Sequence, residues 1–339
     1  AWEKKKTYNV GIDLALFRNR LEFTAEWYKN TSEDLLYAVP VPEQAGVSNT
    51  TVTMNAASMN NSGFEFSATY RNRDHDFKYE VSANLSTLRN RVTSLGFGTD
   101  SYISGSYITK VGQEIGQFYG WVYEGIARTQ EDLDNHATQE GAQIGDCLYK
   151  DVNNDGKVDS EDQVVLGSGM PKINFGLNAR FEYKRFDLSI ATFGALNYHV
   201  SDDIYNSLNS CYGWGNKEVG MLEANRFSED GSTYLSNVPR TYVTNSASLG
   251  WNDLFSSRKI QNAAYWKIAN VELGYNFPDK WFGKYVSDVR FYVSAQNLHT
   301  FTGYHGYNVD YAGGTFTPGY NFCSYPTART FMCGVHFTF

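Results

Sequence analysis

Alternation of apolar and polar residues at a period of two constrains this chain more than any other feature. In Ile173-Asn174-Phe175-Gly176-Leu177-Asn178-Ala179-Arg180-Phe181-Glu182-Tyr183 the odd positions are apolar or aromatic, and the even ones are Asn, Gly, Asn, Arg and Glu. Successive strand side chains point to opposite faces, so one face of this segment suits an apolar medium and the other suits water. The same pattern recurs at Tyr8–Phe17, Leu21–Lys29, Phe64–Tyr70, Phe77–Ser86, Phe186–Gly194, Tyr265–Phe277, Val289–Asn297 and Thr330–Phe339, which makes nine segments.

The links sharpen the choice. Short ones fall at 18–20, 72–76, 184–185 and 278–285, and long ones at roughly 33–62, 89–171, 197–264 and 298–328. Short and long alternate without a break. Long loops argue against an ordinary compact domain. Short turns at one rim and long loops at the other predict an antiparallel transmembrane β-barrel, with periplasmic turns and extracellular loops. Nine strands cannot close alone, because bacterial single-chain barrels have an even number and open edges in lipid are costly. The expectation is therefore that residues 1–339 form the C-terminal portion of a larger barrel. Its plug and N-terminal strands would lie outside the sequence, and 89–171 would be a long extracellular loop region. Aromatic residues near strand ends, such as Trp27, Tyr183, Phe186, Tyr275 and Trp281, match interfacial girdles. Phe339 closes the last alternating segment. The alternative is a soluble β-sandwich, which would have to present aromatic rings to water or a second sheet along every strand.

Composition removes other classes. The 339 residues carry 29 Lys and Arg against 37 Asp and Glu, a net charge of −8, so no broad nucleic-acid surface is expected. No run of about 18 apolar residues exists, which excludes membrane helices and leaves barrels untouched. The four cysteines, Cys147, Cys211, Cys323 and Cys333, match neither a zinc site nor a disulfide framework. The first three fall in external loops, where a Cys211–Cys323 bridge is conceivable. Cys333 alternates with apolar neighbours and reads as lipid-facing. No nucleophile-elbow, metalloprotease or phosphate-loop motif occurs, so no enzyme is expected.

One stretch has metal-ligand spacing. Asp151, Asn153 and Asp155 occupy positions 1, 3 and 5 of a twelve-residue EF-hand-like loop, with Gly156 at the sharp turn. Lys157 would contribute its carbonyl, Asp159 would bind directly or through water, and Asp162 closes position 12 where Glu is usual. A structural calcium ion is the expectation. A solvated Asp/Asn/Gly turn is its rival.

Several segments resemble one family, the SusC-like (SusC/RagA) TonB-dependent transporters. They include Trp2-Glu3-Lys4 with Tyr8–Asp13, Asn61-Ser62-Gly63-Phe64-Glu65-Phe66, and Gly116-Gln117-Phe118-Tyr119-Gly120 with Glu124-Gly125-Ile126. Further matches are Asp151–Asp162 followed by Pro171-Lys172 and Phe175-Gly176, then Tyr265–Tyr275, Ser294-Ala295-Gln296-Asn297-Leu298 and Tyr325-Pro326-Thr327-Ala328-Arg329-Thr330. The resemblance implies a plugged barrel of roughly 22 strands in the bacterial outer membrane. It implies active import of oligosaccharides or, alternatively, peptides, powered through TonB and capped by a SusD-like surface lipoprotein. TonB would act through the absent N-terminal barrel and plug portion. External rings suit sugar stacking, and Trp214, Trp251 and Tyr320 are the candidate substrate contacts; loop self-packing is the competing role for each ring. A calcium-binding structural or adhesive β-protein is the rival class. A barrel-embedded enzyme would need a nucleophile–base pair at the rim, and the sequence offers none.

Overall fold

The computed structural model describes residues 2–40, 51–96, 98–211, 216–241, 250–278, 281, 286, 288–310 and 313–338. Nine long strands run in chain order through one antiparallel sheet. They are β1 (Lys4–Leu16), β2 (Leu21–Pro40), β3 (Thr51–Asn72), β4 (Phe77–Thr87), β5 (Ile173–Tyr183), β6 (Phe186–Leu196), β7 (Tyr265–Asn276), β8 (Asp288–Thr302) and β9 (Thr330–Thr338). A shorter strand, Arg89–Ser94, pairs with β3 above β4.

Register turns the alternation into two faces. Ile12 lies opposite Ala25, Ala25 opposite Phe66, Phe66 opposite Leu85 and Leu85 opposite Phe175, so one apolar row crosses five strands. This face is exposed: Val10 shows 69 % of its surface, Ile12 54 % and Phe331 69 %. An apolar face of that extent has a bilayer as its partner. Near the short turns its rings touch in series. Tyr70 meets Tyr79 at 5.9 Å, Phe77 meets Phe181 at 6.0 Å, Phe186 meets Tyr275 at 4.8 Å and Phe277 meets Trp281 at 5.8 Å. That is the expected periplasmic girdle. Register also puts Cys333, opposite Val293, on the lipid face. Phe339 lies outside the described residues.

A bulge changes which residues face the lumen at the outer end. The β6–β7 register slips between Ala191 and Thr192, leaving Ala269 unpaired, and the β7–β8 register slips beside it. Below the slip the odd residues Val271, Leu273 and Tyr275 share the lipid face. Above it the even residues Trp266 and Ile268 take their place. Lys267 then lies opposite Phe193 on the lumen side, with its ammonium 5.8 Å from the ring centroid. On β8 the slip is absorbed around Asn297, whose φ is +51°. Asn tolerates this left-handed conformation better than most residues, and one type of bulge uses it. A strict period of two would place Lys267 in lipid.

The described hydrophobic cores lie at the outer end, where loops pack on each other and on the strand ends. One gathers Ala57, Val92, Leu95 and Ile115, a second Ala195, Tyr198, Val200, Ala263 and Tyr304, and a third Cys147, Tyr149 and Val158. The 89–171 segment is accordingly folded, with a four-stranded sheet of Ser101–Ser104, Tyr107–Lys110, Gln117–Gly120 and Val164–Gly167. Strands of four residues are too short to show a period. The expected 33–62 link is also largely strand, since β2 continues to Pro40 and β3 starts at Thr51. Beyond the membrane both faces are wet, so the pattern fades while the backbone ladder persists. Asp34, at φ +57°, sits where the β2–β3 register shifts.

Adjacent residues on β5 should respond oppositely to charge. In the intact protein folded into lipid, Leu177→Arg is expected to cost about 2–4 kcal/mol near the bilayer midplane. Asn178→Arg, on the lumen side, should leave the denaturant midpoint close to that of the parent.

Candidate functional site

Two structures compete for attention as sites, the lumen wall and the loop assembly at its outer end. On the wall, acids and bases pair across strands. Arg71 reaches Glu22 at 2.6 Å and Glu80 at 2.8 Å, and Arg290 reaches Glu272 at 2.7 Å and Asp187 at 3.0 Å. Gly274 leaves room for this pairing, since a Cβ there would meet the Arg290 guanidinium and push that flexible side chain aside. Arg180 pairs with Glu182 along its own strand at 3.0 Å. Arg180 and Arg290 thus both meet acids of the wall. Carboxylates that each face a guanidinium serve as a water-facing wall rather than an acid–base pair.

The loops are joined by buried carboxylates. Asp146 is 1 % exposed and accepts from Arg240 Nη2 at 3.0 Å and Asn252 Nδ2 at 2.8 Å. Asn252 in turn accepts from Cys147 N at 2.7 Å. Asp202 accepts from the Tyr304 hydroxyl and from Asn321 Nδ2 at 2.9 Å, while Asn321 Nδ2 also lies 2.7 Å from the Tyr304 oxygen. Lys267 donates to Asp310, which ties the last external loop to the barrel wall. That loop and the wall line an open cavity of about 320 Å³, bordered by Asn174, Ala195, Tyr265, Asp310 and Gly319. A larger, open cleft of about 750 Å³ lies among Leu133, His136, Gln143, Phe227 and Arg240.

The expected substrate contacts separate. Trp251 packs against the core formed by Cys147, Tyr149 and Val158. Its indole N–H donates to Glu140 O at 2.9 Å, and its carbonyl accepts from the Tyr149 hydroxyl. These contacts are those of loop self-packing. Tyr320 is 39 % exposed and stacks with Phe322. Trp214 lies outside the described residues.

In the 151–162 loop every expected acidic or amide ligand already holds backbone N–H groups. Asp151 accepts from Asn154 and Gly156, Asn153 from Asp155, Asp155 from Lys157, and Asp159 from Glu161. Asp162 is fully buried and accepts from Val152, Asn153 and Asp159. Gly156 takes φ +86° at the turn. Among the described residues no three His, Cys, Asp or Glu side chains converge as a metal-holding group. The loop is docked by the Trp121 indole N–H on Asp159 O at 3.0 Å and by Thr138, which bridges Lys157.

The conceivable Cys211–Cys323 bridge is not formed. All four cysteines are free, Cys211 is buried and Cys323 is exposed. Burial pushes the Cys147 thiol up to about 12 and the Cys211 thiol up to about 11, so both are unreactive core groups at neutral pH. Nothing in the sequence marks Asp146, Asp202, Arg240 or Asn321. Their partners lie far away in the chain, and no local spacing marks them.

Two outcomes follow for the loops. Burial opposes the Asp162 charge, but the N–H groups of Asp159, Val152 and Asn153 together hold its carboxyl below the ordinary range. A depressed folded pKa contributes stability that is complete above the unfolded value of about 3.9 and is lost as pH falls through the folded value. Hydrogen exchange in 151–162 should therefore be flat from pH 7 to about 5 after correction for intrinsic rates, and should accelerate only in stronger acid. Arg240→Ala strands the buried Asp146 charge and should weaken the 121–150 and 234–240 segments by about 3 kcal/mol. Exchange there should speed up while the strands stay protected.

The comparisons with known proteins agree with this architecture. A family model described as "TonB dependent receptor-like, beta-barrel" matches residues 1–298. TonB-dependent receptor P3 of Formosa agariphila is 31 % identical over all of this chain and 34 % of its own length. TonB-dependent receptor SusC of Bacteroides thetaiotaomicron is 26 % identical over all of this chain and 32 % of its own. The chain thus spans about a third of the curated relatives it matches. Among solved structures, one described as the RagAB peptide transporter superposes with a TM-score of 0.80 at 22 % identity, covering 98 % of this chain and 35 % of that one. The lipid-facing rows, the charged inner wall and the family match lead to one assignment: the chain belongs to the TonB-dependent receptor β-barrels of the bacterial outer membrane.

Proposed function

We propose that this chain forms barrel wall and outer loops of an active importer that carries oligosaccharides across the outer membrane. The observation that carries the proposal is a lipid-facing sheet whose other face is a charged wall, beneath a loop assembly with ring side chains at the mouth. Two edge strands, β1 and β9, end the sheet, and unpaired edges are costly in lipid. Further strands complete the barrel, and a plug fills it. TonB drives import through that portion, and a SusD-like lipoprotein caps the extracellular loops, residues 89–171 among them. The wall's paired charges suit a solvated passage rather than catalysis. Tyr320 is the ring best placed for cargo, whereas Trp251 serves mainly to hold the loops together. Peptide import is the second reading, favoured by the likeness of this fold to RagAB, described as a peptide transporter. The test is mass spectrometry of the detergent-extracted complex containing this chain, followed by uptake of labelled oligosaccharides and peptides into cells with and without TonB. Co-extraction of a plug-bearing polypeptide and a lipoprotein, with TonB-dependent saccharide uptake, is expected. A chain that is monomeric and soluble without detergent would overturn it.

The 151–162 loop is proposed as a calcium clip. Its support is the donor set of Asp151, Asn153, Asp155, the Lys157 carbonyl, Asp159 and Asp162, all hard oxygens, around a glycine turn. Calcium would stiffen a segment that carries Val158 into the third loop core. Added calcium should protect residues 151–162 from protease with a midpoint of about 10⁻⁴ to 10⁻³ M, as in extracellular modules. Asp151→Ala/Asp155→Ala should abolish the effect, and magnesium should not replace calcium.

A further inference from the structure

Among the described residues, a group of rings in the 303–329 loop is exposed. Tyr307 is 63 % exposed, Tyr320 39 %, Phe322 66 % and Tyr325 87 %. Exposed aromatic groups of this size mark contact surfaces. Tyr320 and Phe322 form a pair, with ring centroids 6.4 Å apart and planes inclined by 21°. The two ring planes are therefore nearly parallel and project from one face.

The pair is held in place from behind. Residues two apart on an extended segment share a face, and the residue between them points the other way. That residue is Asn321, 3 % exposed, whose amide enters the buried cluster of Asp202 and Tyr304. Tyr320 and Asn321 also pair in parallel with Ser201 and Asp202. An anchor between two exposed rings fixes their orientation before any ligand arrives, which lowers the ordering cost of binding. Polar groups sit at the edges. Asp203 lies beside the Tyr320 hydroxyl, and the Asn308 side chain fixes the Tyr325 carbonyl at 3.2 Å. The neighbouring Pro318 and Gly319 help line the cavity that opens against lumen-facing Asn174, Ala195 and Tyr265. The platform thus stands at the outer mouth of the passage.

We infer that the Tyr320–Phe322 pair is a sugar-stacking platform that captures pyranose rings of an oligosaccharide at the mouth of the barrel. A pyranose has a flat C–H face that packs on an aromatic ring and a rim of hydroxyls that needs carboxylate and amide partners. Rings flanked by Asp203 supply both. The assignment rests on the glycan-import proposal and goes beyond it by naming the capture surface and its anchor.

The test uses the complete transporter extracted with its partner chains. Binding of neutral hexasaccharides from α-glucan, β-glucan, xylan and mannan is measured by calorimetry, with a mixed hexapeptide pool as comparison. At least one saccharide should bind the parent. Tyr320→Ala/Phe322→Ala should weaken it about tenfold or more, and Tyr320→Phe/Phe322→Tyr, which keeps both rings, should stay within about threefold. Equal saccharide affinity in the parent and the double-alanine variant, with unchanged thermal unfolding, would overturn the platform and leave glycan import standing. Peptide binding with no saccharide binding would overturn both, as would failure of every hexasaccharide to bind the parent.

Discussion

The backbone has no water to bond with inside a bilayer, and the rest of this structure follows from that. Each strand within the membrane must give its N–H and C=O groups to neighbours, so nine strands lie side by side in chain order, paired along their length with only local slips of register. Once the ladder is satisfied, side chains on the lipid face need only be apolar. This is why Val10, Ile12 and Phe331 can be exposed without penalty. It is also why the sheet has no interior of its own: a wall one strand thick has two surfaces and no inside.

The loops, surrounded by water, use another means of cohesion. Their apolar cores are small, and their long-range order comes from carboxylates that each collect donors from several segments. Asp146 joins the 240 and 252 segments, Asp202 joins 304 and 321, and Asp310 fastens its loop to Lys267 on the wall. Buried charge pairs contribute little net stability against apolar replacements, but removal of one partner is expensive. Such clusters select one arrangement of long loops among many of similar hydrophobic content. The mouth of the barrel is held in a defined shape without the large core that a soluble domain of equal size would need.

Much of the membrane portion was legible in the sequence, because lipid imposes a local rule on neighbouring residues. The alternation of Ile173 to Tyr183 and the short turn at Lys184-Arg185 predict β5 and its hairpin partner directly. The loops obey no local rule. The four-residue strands at 101–120 are too short to show a period, the continuation of β2 past Lys29 is wet on both faces, and the Asp202–Tyr304–Asn321 cluster depends on contacts between residues about a hundred positions apart. Trp251 illustrates the limit: an aromatic residue in an external loop looks alike in sequence whether it faces cargo or packs against Tyr149. Cys211 illustrates it again, since loop placement suggested a bridge to Cys323 while the fold buries it alone. The acidic spacing of 151–162 was visible, whereas the use of its carboxylates to hold the loop's own N–H groups was not.

The unpaired Ala269 has a further meaning. Everything on β7 beyond it is turned over by half a strand period, so Tyr265 and Lys267 look inward and Trp266 looks outward. What the rim displays to the passage is therefore governed by the number of residues in the strand as much as by their kind. A lineage that gains or loses one residue at this point exchanges an entire row of side chains between membrane and channel in one step. Changes in length can thus alter the lining of such a wall abruptly, where substitutions alter it one side chain at a time.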